Sequence, residues 1–280
     1  MKKYSFAIAL AILACLFLVS CDRSTTDSEP EMQTETSQVA FDDLNDRIAE
    51  FEKEYGFGNI DTRAGFWAKL GWILGADAFG ALIGAGGGPG LAMLVSAGSS
   101  IAAAITVVIV GNDSFTKSTV ITDDIISSLG NTGLEHNQIL QKFFQMNNPD
   151  FNGMTTEDIS EYIIRKVYEI IQADNQTELP SLDKCLTFSS QKTMLPYNNI
   201  DELASQCILS HPELTNEITV IKHCVQTYTS IEDPHDVVVY SKGISTIIEE
   251  SSIPVTSKNE IKSGASVAAF SKLYWDDSIK

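Results

Sequence analysis

The chain has little positive charge. Its 280 residues include 19 lysines and arginines against 37 aspartates and glutamates, which gives a net charge of −18. Only four residues are arginine: Arg23, Arg47, Arg63 and Arg165. Because so acidic a chain repels nucleic acid and anionic headgroups at long range, we predict no nucleic-acid partner. Any action on a membrane must therefore come from hydrophobic insertion, or follow a step that separates an apolar segment from the acidic remainder.

Catalytic and cofactor-binding motifs are also missing. The sequence contains no nucleophile elbow, phosphate loop, zinc-hydrolase helix or dinucleotide fingerprint, so it predicts neither an enzyme nor a cofactor. Cys207-x-x-x-His211 and His223-Cys224 depart from the usual zinc spacings, and we predict no metal site. A zinc-dependent hydrolase remains a third hypothesis. His136-Asn137 could form an acid/base pair with Glu135, but neighbouring helical residues do not face one another, so we do not expect a local catalytic dyad. We expect a polar cap or a buried hydrogen-bonded pair instead.

The segment 1–20 has two basic residues followed by the apolar run Ala7–Val19, which is typical of a signal peptide. The tetrapeptide LVSC that ends at Cys21 resembles a bacterial lipobox, and this resemblance implies cleavage before Cys21 and lipidation of its thiol. We expect an exported, membrane-anchored lipoprotein at the outer membrane or cell surface. A plain secretory peptide or an uncleaved anchor is the alternative.

The chain has five cysteines, which are too few for disulfides to define the fold. Once Cys15 is removed with the signal peptide and Cys21 is lipidated, three cysteines remain in the mature chain. They are Cys185, Cys207 and Cys224. An exported protein can form disulfides, so one pair is expected to form and one thiol to remain. We favour a Cys207–Cys224 bond joining two neighbouring helices.

The most informative stretch is 64–111, which contains only two charged residues, Lys69 and Asp77. A glycine-proline break over 86–90 divides it into apolar parts of 22 and 20 residues. As helices these parts would be roughly 30–33 Å long, which is the thickness of a bilayer's hydrocarbon core. The stretch therefore predicts a hairpin of two apolar helices.

Small residues recur at every fourth position of both predicted helices. The candidate membrane-inserting residues on these ridges are Gly80, Gly84, Gly88, Ala92, Ser96, Ser100 and Ala104. Ridges of small residues let two helices approach closely and could support self-association in a membrane. Permanent burial at the centre of a helical domain is the alternative. Asp77 then either hydrogen-bonds inside the fold or, after insertion, faces a partner helix or an aqueous lumen.

The remaining segments complete an all-α organisation. Residues 21–40 predict a lipidated disordered tether, residues 41–63 an amphipathic helix and link, and residues 112–280 a helical C-terminal domain. We see no alternating strand pattern, so the predicted class is a multi-helix domain around the Gly/Ala-rich hairpin. In the link, Arg63 is a candidate cleavage site for an activating protease, since cutting there would free the hairpin's N-terminal end. An ordinary charge at a helix start is the alternative.

Three short motifs carry a resemblance. They are Asp77-Ala78-x-Gly80-Ala81, Gly133-x-x-His136-Asn137-x-x-Leu140 and Ser271-x-x-Tyr274-Trp275. The first resembles membrane-active segments of bacteriocins, and the three together resemble a poorly characterised group of Bacteroidetes exported lipoproteins. The hairpin also resembles the hydrophobic hairpin of pore-forming colicins. These resemblances imply an antibacterial toxin that permeabilises membranes after proteolytic activation. The alternative is a non-catalytic surface lipoprotein, a binding or scaffold module whose hairpin is its core.

Overall fold

The computed structural model describes residues 30–57, 66–111, 121–146, 154–173, 178–183 and 199–275. Over these ranges it contains ten α-helices, one short 3₁₀ helix and no strand, so the predicted all-α class is confirmed for them. The same ranges include no helix that is both long and apolar enough to cross a membrane. The predicted signal peptide, Cys21, Arg63 and Cys185 lie outside the described residues.

The helices are numbered in chain order. They are α1 Pro30–Tyr55, α2 Phe66–Ala85, α3 Pro89–Gly111, α4 Asp123–Leu129, α5 Thr132–Met146, α6 Thr156–Ala173, α7 Ile200–Ser210, α8 Thr215–Ser230, α9 Pro234–Glu250 and α10 Val255–Trp275. Local capping explains where several of them begin. The Asn199 side chain accepts the backbone N–H of Glu202, and Thr155 and Asp158 cap each other reciprocally at the start of α6. These starts agree with the helix signals in the sequence.

Helix α1 begins earlier than predicted. The sequence predicts a disordered tether up to residue 40, but the helix starts at Pro30. Proline is tolerated in a first helical turn, and the glutamate, glutamine and methionine that follow have good helix propensity. The buried side chains of Phe41, Leu44 and Ile48 fix the next turns against the bundle. Once these buried side chains hold the middle of α1 in place, helix formation continues towards the N-terminus as far as Pro30.

Helices α2 and α3 lie at the centre of the bundle. Helix α2 packs against α3, α7, α8 and α10, and α3 also packs against α5 and α6. All residues over 70–84 and 90–105 are buried. The turn between the two helices includes Gly88, whose φ of +97° is a left-handed conformation that favours glycine. Gly88 therefore forms the turn and does not belong to the ridge on which the sequence pattern placed it.

The last three turns of α10 share this interior. All twelve residues from Gly264 to Trp275 are buried, and the helix packs against α2, α5 and α8. The polar residues Ser266, Ser271 and Lys272 of this segment are buried together with its apolar residues. The core of the fold is therefore built on three helices, the α2–α3 hairpin and the C-terminal half of α10.

Candidate functional site

The two small-residue ridges of the hairpin meet each other. A Cβ atom added to Gly84 would lie 2.5 Å from the Cα of Ala92, and one added to Gly80 would lie 2.9 Å from the Cα of Ser96. Both separations are shorter than real Cβ atoms show, so these glycines leave room only for direct backbone contact. The antiparallel register that these contacts set brings Ser100 of α3 close to Asp77 of α2.

Asp77 is the only ionisable residue among the side chains described for the hairpin, and it is fully buried. Its Oδ2 accepts a hydrogen bond from the hydroxyl of Ser271 on α10, with an oxygen–oxygen distance of 2.6 Å. Burial raises the pKa of this carboxyl from 3.8 to about 8, and the nearby Ser271 and Ser100 hydroxyls reduce the shift without cancelling it. The Asp77 side chain is therefore protonated and uncharged at neutral pH.

His136 approaches Asp77 from α5. Its Nε2 lies 4.0 Å from Asp77 Oδ2, and its Nδ1 lies 3.1 Å from Asn137 Oδ1. Because Asn137 Nδ2 donates to the carbonyl of Phe270 at 2.8 Å, its Oδ1 must be an acceptor, and His136 Nδ1 carries the proton. Burial lowers the pKa of His136 to about 4, so the ring is neutral and presents the lone pair of Nε2 towards Asp77.

Together these residues form a polar cluster between α2, α5 and α10. We call Asp77, His136, Asn137 and Ser271 the Asp77 cluster. Within the described part of the chain, Asp77 Oδ1 and His136 Nε2 make no hydrogen bond of ordinary geometry, yet a protonated carboxyl and an imidazole lone pair are complementary. Every member is at most 9% exposed, and three are at 0%. In this conformation the cluster is enclosed within the protein, and a substrate has no access to it.

The cluster contains the residue types of a Ser–His–Asp triad in a different arrangement. In such a triad the histidine bonds the serine and the aspartate orients the histidine. Here Ser271 bonds Asp77 directly, and Asn137 is the residue that bonds His136. The serine hydroxyl has no base to activate it, so the geometry does not support acyl transfer.

The three motifs that carry the resemblance converge on this cluster. Asp77 and Ser271 are 194 residues apart in the chain, and His136 comes from the motif between them. Gly133 of the same central motif donates its backbone N–H to Ser266 Oγ at 3.1 Å, and a Cβ on Gly133 would overlap the Ser266 carbonyl. Of the two alternatives predicted for His136 and Asn137, the structure shows the buried hydrogen-bonded pair. The meeting of all three motifs was not predicted.

A second buried carboxylate, which the sequence analysis missed, holds α1 to the bundle. Glu52 accepts hydrogen bonds from Thr227 at 2.6 Å and from Tyr240 at 2.7 Å, and its other oxygen lies 2.7 Å from His223 Nε2. Desolvation raises the pKa of Glu52, but these three partners outweigh it and leave the pKa below its ordinary value. Glu52 therefore remains ionised and joins α1 to α8 and α9.

The predicted Cys207–Cys224 disulfide is not formed, because both residues are buried free thiols. Cys224 lies beside Tyr240 and Glu52, so its thiol faces α9 and α1 instead of Cys207 on α7. Burial raises the pKa of both thiols, that of Cys224 to about 12. In the ranges that the structure covers, no group of three or more His, Cys, Asp and Glu side chains is placed to hold a metal ion.

The structure brings most of the predicted hairpin residues together. Gly80, Gly84, Ala92 and Ser96 form the α2–α3 contact, and Ala104 is buried further along α3. The predicted sites of lipidation and cleavage fall outside the described residues. Compared with known proteins, the chain matches no family model, no curated protein and no solved structure.

Proposed function

We propose that the protein stores the α2–α3 hairpin inside a helical shell and delivers it to a lipid bilayer, which it permeabilises as an antibacterial toxin. The observation that carries this proposal is the enclosure of the hairpin. Its residues over 70–84 and 90–105 are all buried, and other helices cover both of its members. A helix that is apolar around its whole circumference must be covered either by protein or by lipid. The shell supplies the first cover, and a bilayer could supply the second.

The electrostatics of the stored hairpin support this transfer. An ionised aspartate near the middle of an inserted helix costs about 2.5–3.5 kcal/mol on insertion scales. Asp77 is uncharged in the fold at neutral pH, because burial already disfavours its ionised form. The hairpin would thus leave the protein with Asp77 uncharged, and the pair would enter the apolar layer as a unit.

The proposal includes an anchor and a release step. Lipidation of Cys21 would hold the exported chain at a membrane, and a protease that cuts after Arg63 would free the N-terminal end of the hairpin. Helix α1 packs mainly against α8 and α9, so the segment between α1 and α2 is the covalent tie between the N-terminal helix and the hairpin. Inserted hairpins would then associate through their small-residue ridges.

A reversible lock tests the proposal. A Cβ atom on Gly71 would lie 3.4 Å from Thr229 Oγ1, close to the geometry of a disulfide, so Gly71→Cys with Thr229→Cys should join α2 to α8. We expect dye release from liposomes by the unlocked protein, intact or after limited proteolysis, no release by the oxidised double variant, and recovery on reduction. The Gly71→Cys single variant is the matched control, since it cannot form the lock.

Two outcomes would contradict the proposal. The first is the absence of leakage from the unlocked protein both before and after proteolysis. The second is equal leakage from the oxidised and reduced double variant, because a hairpin tied to α8 cannot leave the shell. The first result would favour the non-catalytic binding or scaffold module, in which the hairpin is simply the core. The second would show that leakage does not require the hairpin to leave the shell.

A further inference from the structure

Helices α5 and α10 are fastened to each other by several hydrogen bonds. Ser266 Oγ accepts the N–H of Gly133 at 3.1 Å and donates to the Gly130 carbonyl, just before α5, at 3.0 Å. Asn137 donates to the carbonyl of Phe270 at 2.8 Å. These bonds and the close approach at Gly133 make one hydrogen-bonded body of the two helices, which we call the α5–α10 unit.

The Asp77 cluster makes polar contact between this unit and the hairpin. Ser271 donates to Asp77 at 2.6 Å, and His136, which also lies near the backbone of Ser96, faces Asp77 at 4.0 Å. Much of the remaining contact with α10 is close packing, as at Gly264, where a Cβ would lie 3.0 Å from a carbonyl oxygen of α2. Helices α5 and α10 are thus joined to each other by more hydrogen bonds than the Asp77 cluster makes with the hairpin.

A buried carboxyl weakens a protein unless it is hydrogen-bonded, so the partner of Asp77 strongly affects the stability of this interface. Ser271 donates to Asp77 Oδ2 at 2.6 Å, and this hydrogen bond links the carboxyl to the α5–α10 unit. If Ser271 were lost, the Asp77 carboxyl would stay buried on the hairpin side without that donor. The cost would fall on the boundary between the hairpin and the α5–α10 unit, while the bonds inside the unit would stay intact.

We propose that the α5–α10 unit is a retaining clamp that keeps the hairpin inside the shell, and that Ser271 is the positioning residue through which the clamp holds Asp77. Opening separates the hairpin from the clamp at the Asp77 cluster and leaves α5 and α10 paired. The use of the clamp to control insertion rests on the proposed function. The clamp itself is a property of the fold that can be measured without a membrane.

The same helix offers a matched control. Ser257 is also buried on α10 and also donates to a carboxyl oxygen at 2.6 Å, but its partner is Glu217 on α8. Ser271→Ala and Ser257→Ala therefore remove the same chemical group from the same helix. Only the first removes a contact to the hairpin. The comparison separates loss of the clamp from general loss of stability.

Hydrogen exchange on the full chain, without lipid, tests the clamp. We expect Ser271→Ala to accelerate exchange of α2 and α3 amides about tenfold, with α5 changed by less than about twofold. For Ser257→Ala we expect the larger change in α8 and the start of α10, with α2 and α3 within about twofold of the wild type. Asp77→Asn, whose amide oxygen still accepts from Ser271, should not accelerate exchange of the α2 and α3 amides.

Equal acceleration of α2 and α3 by the two serine variants would overturn the clamp, and so would no acceleration by Ser271→Ala. Dye release from liposomes tests its use separately, and Ser271→Ala should leak several-fold faster than Ser257→Ala. If the wild type fails to leak even after proteolysis, the proposed function fails, while the exchange data still decide whether the clamp exists.

Discussion

Replacing Asp77 with asparagine should change how the stability of the protein depends on pH. Asp77 has a pKa of about 8 in the fold against an ordinary value of 3.8. Between these values the unfolded chain has released the Asp77 proton and the folded chain still holds it. Stability therefore falls as pH rises through this window, by about 1.4 kcal/mol per pH unit. Asparagine is close in shape to the protonated acid, so Asp77→Asn should fold and lose this dependence.

His136 has the opposite effect over part of the same range. Its pKa is about 4 in the fold against an ordinary value of 6.5, so its contribution is lost as pH falls from 6.5 towards 4. The Asp77 and His136 contributions then nearly cancel between about pH 4 and 6.5. Above pH 6.5 only the Asp77 contribution remains, and it should lower wild-type stability by about 2 kcal/mol between about pH 6.5 and 8. The asparagine variant should instead gain about 3 kcal/mol from about pH 4 to 6.5 and stay level above it.

Urea unfolding followed by circular dichroism at several pH values between 4.5 and 8.5 measures both profiles. Asp43→Asn, at an exposed position of α1, is the control for the same change of residue type and should follow the wild-type curve. The quantity to compare is the difference between the Asp77→Asn and wild-type free energies of unfolding, because groups common to both proteins cancel. A difference that does not grow with pH would refute the assignment of a neutral, buried Asp77.

Three further changes probe other contacts. Gly84→Leu should force α2 away from the backbone of α3 and lower the free energy of unfolding by at least about 1–3 kcal/mol in a denaturant titration. Gly86→Ala, in the open turn, is the control and should change the free energy of unfolding little. Glu52→Gln should lower the free energy of unfolding by about 1–3 kcal/mol at pH 7. The loss should be smaller well below pH 4.5, because the wild-type carboxyl also becomes protonated there, and unfolding curves at both pH values measure the difference. Gly243→Ala, whose Cβ would overlap the ring of Phe51, should speed hydrogen exchange in α1, and a Phe51→Leu second change should reverse part of the effect.

Much of the secondary structure was predictable because local signals agreed with one another. The glycine-proline break located the turn between α2 and α3, and apolar residues recurring on one helical face located α5 and α6. Helix α9 is a harder example, because its residues 237–240 favour a strand locally. Its Asp233 cap, a proline in the first turn and the buried Ile244 and Ile248 all continue a helix. Agreement between capping and periodicity therefore outweighed local strand propensity.

The candidate site was less predictable, because helical periodicity says which face is apolar and not which helices meet. The pair of His136 and Asn137 could be anticipated from adjacent positions. Their meeting with Asp77 and Ser271 depends on how α5 and α10 pack on the hairpin, which no local pattern encodes. The sequence held one signal for the burial of the C-terminal half of α10 on all sides, the uncharged run of small and apolar residues from Gly264 to Ser271.

The backbone contacts at Gly80 and Gly84 have a kinetic consequence. Two helices that already touch at their main chains form a single preassembled body. If the hairpin enters a bilayer as proposed, no search for a partner helix within the membrane is required before the first lesion appears. The earliest step of bilayer disruption should then be first order in protein concentration. Any higher order would belong to the later gathering of several such bodies into a larger opening.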